Sequence, residues 1–264
     1  MSIKIVIVGA GHYAMDLIMP QYIKHNNFTI KAVISPKTAI QDFTCYKTVK
    51  QYKDACGYAI DEVFDLCVHT NKIITIMKSL IAIKAKNFIL PKPIALSRED
   101  LCAISLLEKQ HNLKIAVASQ YAIDNGFKDF TKSLKIKSIE FVFSQTLKKY
   151  SVFSSFLPHI LQMCSLPIGK PKIEFIDKHK LELHYMAGKV KVFVKIDNLS
   201  VERHRFIKLC LNKGSAIMSL ANNNSFPAML DGMYGYFKHD IPTSLSLKEY
   251  LPVAKKLIEV VEAC

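Results

Sequence analysis

The amino-acid sequence predicts an α/β protein in two parts: an N-terminal doubly wound parallel sheet, then a smaller α+β domain with a mostly antiparallel, open sheet. Three observations predict it. Over residues 1–120, short continuous apolar runs alternate with stretches of helical spacing, as in strands buried on both faces and joined by crossover helices. After about Gln120 the runs alternate apolar with polar residues, the signature of a sheet with one solvated face. The segment Gly9-Ala10-Gly11-His12-Tyr13-Ala14 sits between the first apolar run and the first helical stretch. The expected domains are therefore 1–120 and 121–264, with a closing helix over 247–263 that can pack back on the first.

The elements follow in order. Residues 3–8 form a short apolar strand that enters the glycine turn, and a helix runs from there to about Lys24, with Met19-Pro20 inside it. Strands are expected over 28–34, 63–69, 87–90 and 114–118, and helices over 49–56, 72–85 and 98–111. In the second part, 138–145, 172–177, 181–186, 189–196 and 205–211 read as strands, with a helix over 152–164. The aromatic stretch Tyr234-Gly235-Tyr236-Phe237 reads as the packing face of a further helix.

Composition narrows the function classes. The chain has 264 residues, half of them hydrophobic, which excludes a disordered tail or linker. Its 36 Lys+Arg against 22 Asp+Glu give a net charge of +14. Arginine, whose planar fork suits base edges and phosphates, occurs only at positions 98, 203 and 205, and the lysines are scattered without a run. The charge therefore reads as a solvated basic surface or as attraction for an acidic or phosphorylated small ligand, ahead of a nucleic-acid footprint. Seven cysteines with no CxxC indicate reduced thiols and a cytoplasmic protein. No metal site is expected: His179 and His184 fall on opposite faces of a strand-like run. No membrane span is expected either, since no 18 apolar residues run uninterrupted.

The chemistry starts at the glycine turn. In a GxGxxA pattern, Gly9 permits the tight turn, Gly11 lets backbone approach a pyrophosphate, and the small Ala14 allows close helix–strand packing. The N–H groups around His12 and Tyr13 then open the helix toward phosphate. This predicts a Rossmann domain that binds a dinucleotide. At the end of the second strand, where NAD-type folds carry an acid for the ribose, the sequence has Ser35-Pro36-Lys37. Ser35 and Lys37 suit the 2′-phosphate of NADP; Lys37 as surface charge, with NAD as cofactor, is the alternative.

Residues 9–33, with their Met19-Pro20, together with Pro91-Lys92-Pro93-Ile94-Ala95-Leu96-Ser97 and the closing 230–261, resemble the glucose–fructose oxidoreductase/inositol dehydrogenase/rhizopine catabolism (Gfo/Idh/MocA) family. The resemblance implies that Thr70, Asn71 and Pro93 line the nicotinamide end of the cofactor and that Tyr121 lines the pocket. It implies catalytic roles for Lys92, at the carboxyl end of a strand where ligands bind in such sheets, and for His159, with Ser155 and Gln162 on the same helix face touching substrate. The chain departs from the family in four places: Pro91 replaces a glutamate, Ser155 and Gln162 replace aspartates, and an arginine near Tyr121 is missing. The implied activity is hydride transfer between NAD(P) and a small polar substrate, such as a sugar, a nucleotide sugar or a related hydroxy or carbonyl compound. The implied assembly is a homo-oligomer, a dimer or tetramer, with no nucleic-acid or membrane partner. A dinucleotide-binding sensor or scaffold without turnover is the alternative, and a basic nucleic-acid-binding protein on the same frame is a third.

Overall fold

A computed structural model describes residues 2–36, 40–120, 136–146, 151, 153, 156–163, 172–177, 179–187, 189–220 and 225–262. The chain divides into two compact units: Met1–Ile123 with Phe226–Leu251, and Asp124–Ser225 with Pro252–Cys264. Residues 226–251 thus group with the first unit. The reason is packing: Met229, Leu230, Met233 and Leu245 belong to the same core as Ile5 and Ile7. The Val117 N–H also donates to the Leu245 carbonyl at 2.7 Å, and Ala116 bridges to Ser246.

The first unit contains β1 (Ile3–Val8), α1 (Met19–Lys24), β2 (Phe28–Ile34), β3 (Cys45–Tyr46), α2 (Val49–Cys56), β4 (Val63–Leu66), α3 (Ile73–Ile81), β5 (Asn87–Leu90), α4 (Arg98–His111) and β6 (Lys114–Val117). Its six strands lie in the order β3-β2-β1-β4-β5-β6, and every neighbouring pair is parallel. This is the doubly wound order of dinucleotide-binding sheets, with its reversal between β1 and β4. The apolar runs give the strands their burial: β4, β5 and β6 are almost wholly covered, as a parallel sheet with helices on both faces requires. Side-chain caps start two of the helices. Thr48 Oγ1 accepts from the Gln51 N–H at 3.1 Å, and Ser97 Oγ accepts from the Asp100 N–H at 3.2 Å. Leu101, Ile104 and Leu107 form the buried stripe of α4.

Three local readings change. The helix after the glycine turn opens as a π-helix, Tyr13–Ile18, so Pro20 stands in the first turn of α1 and not within a continuous helix. At that position proline's missing N–H costs little. The strand expected over 63–69 ends at Leu66, because a 3₁₀ turn, Thr70–Lys72, starts the descent into α3. The helix expected over 72–85 ends at Ile81, and Lys84 takes a left-handed conformation (φ 66°) in the turn toward β5.

The second unit contains β7 (Ile136–Ser144), α5 (Leu157–Met163), β8 (Lys172–Ile176), β9 (Lys180–Ala187), β10 (Val190–Asp197), β11 (His204–Leu211) and β12 (Ser215–Ser219). The sheet order is β12-β11-β7-β10-β9-β8, with β7 and β10 parallel and every other pair antiparallel. Alternation holds along β10 and over Ile139–Phe143 of β7. Ile139, Phe141 and Phe143 on β7 are buried with Val192, Val194 and Ile196 on β10, while Lys191, Phe193 and Lys195 face solvent. Phe156, just before α5, stacks on Phe143 with ring centroids 5.1 Å apart, which seats the helix on the inner face. Two helices complete the chain: α6 (Phe226–His239) and α7 (Leu247–Glu262). Among the described residues, no helix is long and apolar enough to cross a membrane.

Candidate functional site

The turn after β1 is built for one conformation. Gly9 has φ +98°, and a Cβ there would lie 2.5 Å from the Cys67 carbonyl oxygen and 3.0 Å from Val68 Cγ1. Only glycine fits this position, on both backbone and steric grounds. The Gly9 N–H donates to the Ile34 carbonyl and the Cys67 N–H to the Val8 carbonyl, both at 2.8 Å. The turn is thereby held at the carboxyl ends of β1, β2 and β4, at the point where strand order reverses. Gly11 is the opposite case: nothing lies within 4 Å of where its Cβ would be, so the space beside it is open. Ala14 is fully buried against the sheet, as the close helix–strand contact requires. His12 is exposed and pairs with Asp16 one turn on.

Tyr13 turns inward. Tyr22, further along the same helical stretch, donates its hydroxyl to Asp65 Oδ2 on β4 at 2.8 Å. Cys67 donates its thiol to Asp65 Oδ1 at 3.6 Å. Burial pushes the Asp65 carboxyl up from 3.8 to about 6, against the pull of these two donors. Burial, and then the neighbouring Asp65, push Tyr13, Tyr22 and Cys67 well up as well. Sequence reasoning missed Asp65. The available signal was an acid inside the otherwise apolar Val63-Phe64-Asp65-Leu66 of a strand covered on both faces.

Ser35, expected to reach a 2′-phosphate, is only 6% exposed, and its N–H donates to the Tyr46 carbonyl at 2.8 Å. The described end of β2, Ile34-Ser35-Pro36, carries no carboxylate, and Lys37 lies outside the described residues. Beyond β4, Thr70 Oγ1 donates to the Pro93 carbonyl at 3.0 Å. That bond ties the turn carrying Thr70 and Asn71 to the loop after β5, where Lys92 is half-buried and joined to Pro93 by a cis peptide. Gly9, Gly11, Ala14, Thr70, Asn71, Lys92 and Pro93 therefore share one edge of the sheet, at the ends of β1, β4 and β5.

His159 belongs to the second unit. It lies on α5, is 8% exposed, and its N–H donates to the Phe156 carbonyl at 3.0 Å. Gln162 stands three positions on, on the same side of the helix. Ser155 and Tyr121 lie outside the described residues. Next to the start of α5, Arg205 of β11 stacks its guanidinium 5.0 Å from the centre of the Phe156 ring and donates to Gln145. Sequence reasoning gave Arg205 no role.

No protein-family model matches the chain, and no curated protein matches it in sequence. Solved structures match it in fold. UDP-N-acetylglucosamine 3-dehydrogenase GnnA from Acidithiobacillus ferrooxidans superposes with a TM-score of 0.80 at 9% identity, over 100% of this chain and 98% of that one. D-galactose-1-dehydrogenase from Rhizobium etli gives 0.75 at 16% identity, over 90% and 89%. An oxidoreductase from Agrobacterium radiobacter, solved with NAD+, L-tartaric acid and magnesium, gives 0.75 at 12% identity, over 100% and 95%.

Proposed function

We propose that this chain, which has the two-domain fold of the Gfo/Idh/MocA-type oxidoreductases, is a nicotinamide-dependent oxidoreductase acting on a small polar substrate. The observation that carries the reading is the Gly9–Ala14 turn: a glycine that no side chain can replace, open space at Gly11, and a buried alanine, placed where the strand order reverses. These residues fit the diphosphate of a dinucleotide, with backbone N–H groups as the donors. The end of β2 without a carboxylate favours NADP, since a bare ribose is ordinarily held by an acid there. Ser35 is too covered to grip a phosphate with its side chain alone, which leaves that role to Lys37 and the neighbouring backbone.

When bound, the cofactor supplies or accepts the hydride. The chain's own residues manage the substrate and its proton. In this reading Lys92 donates from Nζ to the substrate's hydroxyl or carbonyl oxygen and passes its proton on. Thr70 holds the loop that carries Lys92, and Asn71 and Pro93 line the nicotinamide end. His159, Ser155, Gln162 and Tyr121 are the further candidates for touching substrate, with the His159 imidazole as a second proton carrier. Sugars and nucleotide sugars are the first substrates to test, a choice supported by the names of the A. ferrooxidans and R. etli enzymes.

The solvent-facing side of the second sheet, with Met186, Phe193 and Ile217 among lysines, is the surface through which we expect two copies to pair. Free thiols at Cys45, Cys56, Cys67, Cys102 and Cys210 support a reducing, cytoplasmic setting. The test is direct: titrate the protein with NADPH and NADH, then follow nicotinamide absorbance across a panel of sugars, nucleotide sugars and their keto forms. Tight binding with exchange on at least one substrate is expected. Binding without exchange on any of them refutes the enzymatic part of the reading.

A further inference from the structure

One cation of the second unit sits where the strand pattern calls for an apolar side chain. Along β11, Ile207 and Leu209 are fully buried on the sheet face that α5 covers, and Arg205 precedes them by one alternation on that same face. It stands opposite Phe143 of β7, itself fully buried. A guanidinium is costly to place there unless polar and aromatic partners receive it. Both are present. Arg205 Nη2 donates to Gln145 Oε1, and the guanidinium carbon lies 5.0 Å from the centre of the Phe156 ring. Arginine can make the two contacts together, because its N–H groups lie in the plane whose face stacks on the ring.

The platform beneath this contact is fixed by several strands. The Gln145 N–H donates to the Asp197 carbonyl at the end of β10 at 3.1 Å, and the Leu220 N–H donates to the Arg205 carbonyl at 2.7 Å. Ser144 Oγ accepts from the His204 N–H at 3.2 Å and donates to the Glu202 carbonyl at 2.9 Å, which ties the end of β7 to the start of β11. Phe156 thus rests on Phe143, with ring centroids 5.1 Å apart, and on Arg205. Its backbone carries the consequence. The Phe156 carbonyl accepts from the His159 N–H at 3.0 Å and from the Ile160 N–H at 3.1 Å, so the first turn of α5 hangs from this residue. A helix of seven residues has too few internal bonds to hold its own place, and its position comes from packing.

We propose that Arg205 is a positioning residue for His159: by gripping the Phe156 ring from β11, it fixes the turn of α5 that carries the imidazole. The role rests on the reading of His159 as a group that touches substrate. Arg205 itself need touch neither substrate nor cofactor, since it acts through one ring and one carbonyl. The neighbouring Arg203 is exposed and provides the control for loss of charge.

The test uses the full chain and its variants Arg205→Met, Arg205→Lys, Phe156→Leu, His159→Asn and Arg203→Met. Amide hydrogen exchange at His159 and Ile160 is read by NMR beside that of the β7, β10 and β11 amides. In Arg205→Met the two helix amides should exchange about tenfold faster while the strand amides keep their protection. Arg205→Lys should behave as Arg205→Met does, because an ammonium keeps the charge without the flat face or the fork. Arg203→Met should match the parent. Phe156→Leu removes the ring from the other side of the contact and should free the same two amides, which decides the matter should Arg205→Met fail to fold. With NADPH and the substrate panel above, Arg205→Met should lower kcat about tenfold or more and leave the KM for NADPH within about twofold. Unchanged exchange at His159 and Ile160 overturns the proposal, as does loss of protection spread over the strands, the mark of a merely structural role. Full rescue by Arg205→Lys overturns it too, since charge alone would then suffice. So does parental kcat in Arg205→Met where His159→Asn has lost turnover. Faster exchange in Arg205→Met with parental turnover in His159→Asn refutes the reading of His159 while leaving the anchoring of α5 intact. Without turnover by the parent on any substrate, the exchange result alone decides the positioning.

Discussion

Asp65→Asn has a consequence for stability that is independent of any ligand. The Asp65 carboxyl is raised by burial from 3.8 to about 6 in the folded chain, so the folded state holds its proton more tightly than the unfolded one. A raised pKa gives stability that is complete below the unfolded value and is lost as pH rises through the folded value. The loss falls between about pH 4 and pH 6 and, at 1.36 kcal/mol per pH unit of displacement, amounts to about 3 kcal/mol. Asparagine keeps the shape and can still accept from the Tyr22 hydroxyl, but it does not ionise. The substituted chain should therefore match the parent near pH 4 and exceed its stability at pH 7–8 by about 2–3 kcal/mol. Urea unfolding of both chains at several pH values gives the difference directly, and other titrating groups cancel. A difference that stays flat with pH, or that favours aspartate at pH 8, would refute the reasoning.

Other expectations concern single positions. Gly9→Ala should cost about 2–4 kcal/mol in denaturant unfolding and lose dinucleotide binding, because the new methyl meets the Cys67 carbonyl and the left-handed backbone strains it. Lys92→Ala should leave NADPH binding within a few-fold while lowering kcat by about 10²–10⁴, read from steady-state rates once a substrate is in hand. Tyr250→Phe should be neutral or stabilising by about 1 kcal/mol in thermal unfolding, since the fully buried Tyr250 hydroxyl has no hydrogen-bond partner among the described residues.

The parallel sheet, its helices and the glycine turn were legible because each rests on a short-range pattern: a continuous apolar run, a stripe at helical spacing, or a glycine that only one backbone conformation explains. The π turn was not legible, because its ladder differs from the α-helix by one residue and no residue type demands it; Pro20 was the one trace, read as a tolerated interruption. β3 is two residues long, too short to show a period. The return of 226–251 to the first unit was hidden for another reason: nothing local to Met229 or Met233 says which apolar surface they will cover. At the candidate site, positions set by chain geometry, such as Gly9 and Lys92, were readable, whereas the Asp65 cluster joins residues from two elements and shows only when β4 and the helix are laid together.

The divided first unit bears on how the protein is made. Its opening segment, Met1–Ile123, leaves the ribosome with the sheet face destined for Met229, Leu230 and Met233 still bare. About 100 further residues must be translated before α6 emerges, which at 5–20 residues per second is roughly 5–20 s of exposure. During that interval the part of the core around Ile5, Ile7 and Ile89 that α6 will cover stays open to solvent. Truncation before residue 245 should thus yield an aggregating product, not a minimal nucleotide-binding domain.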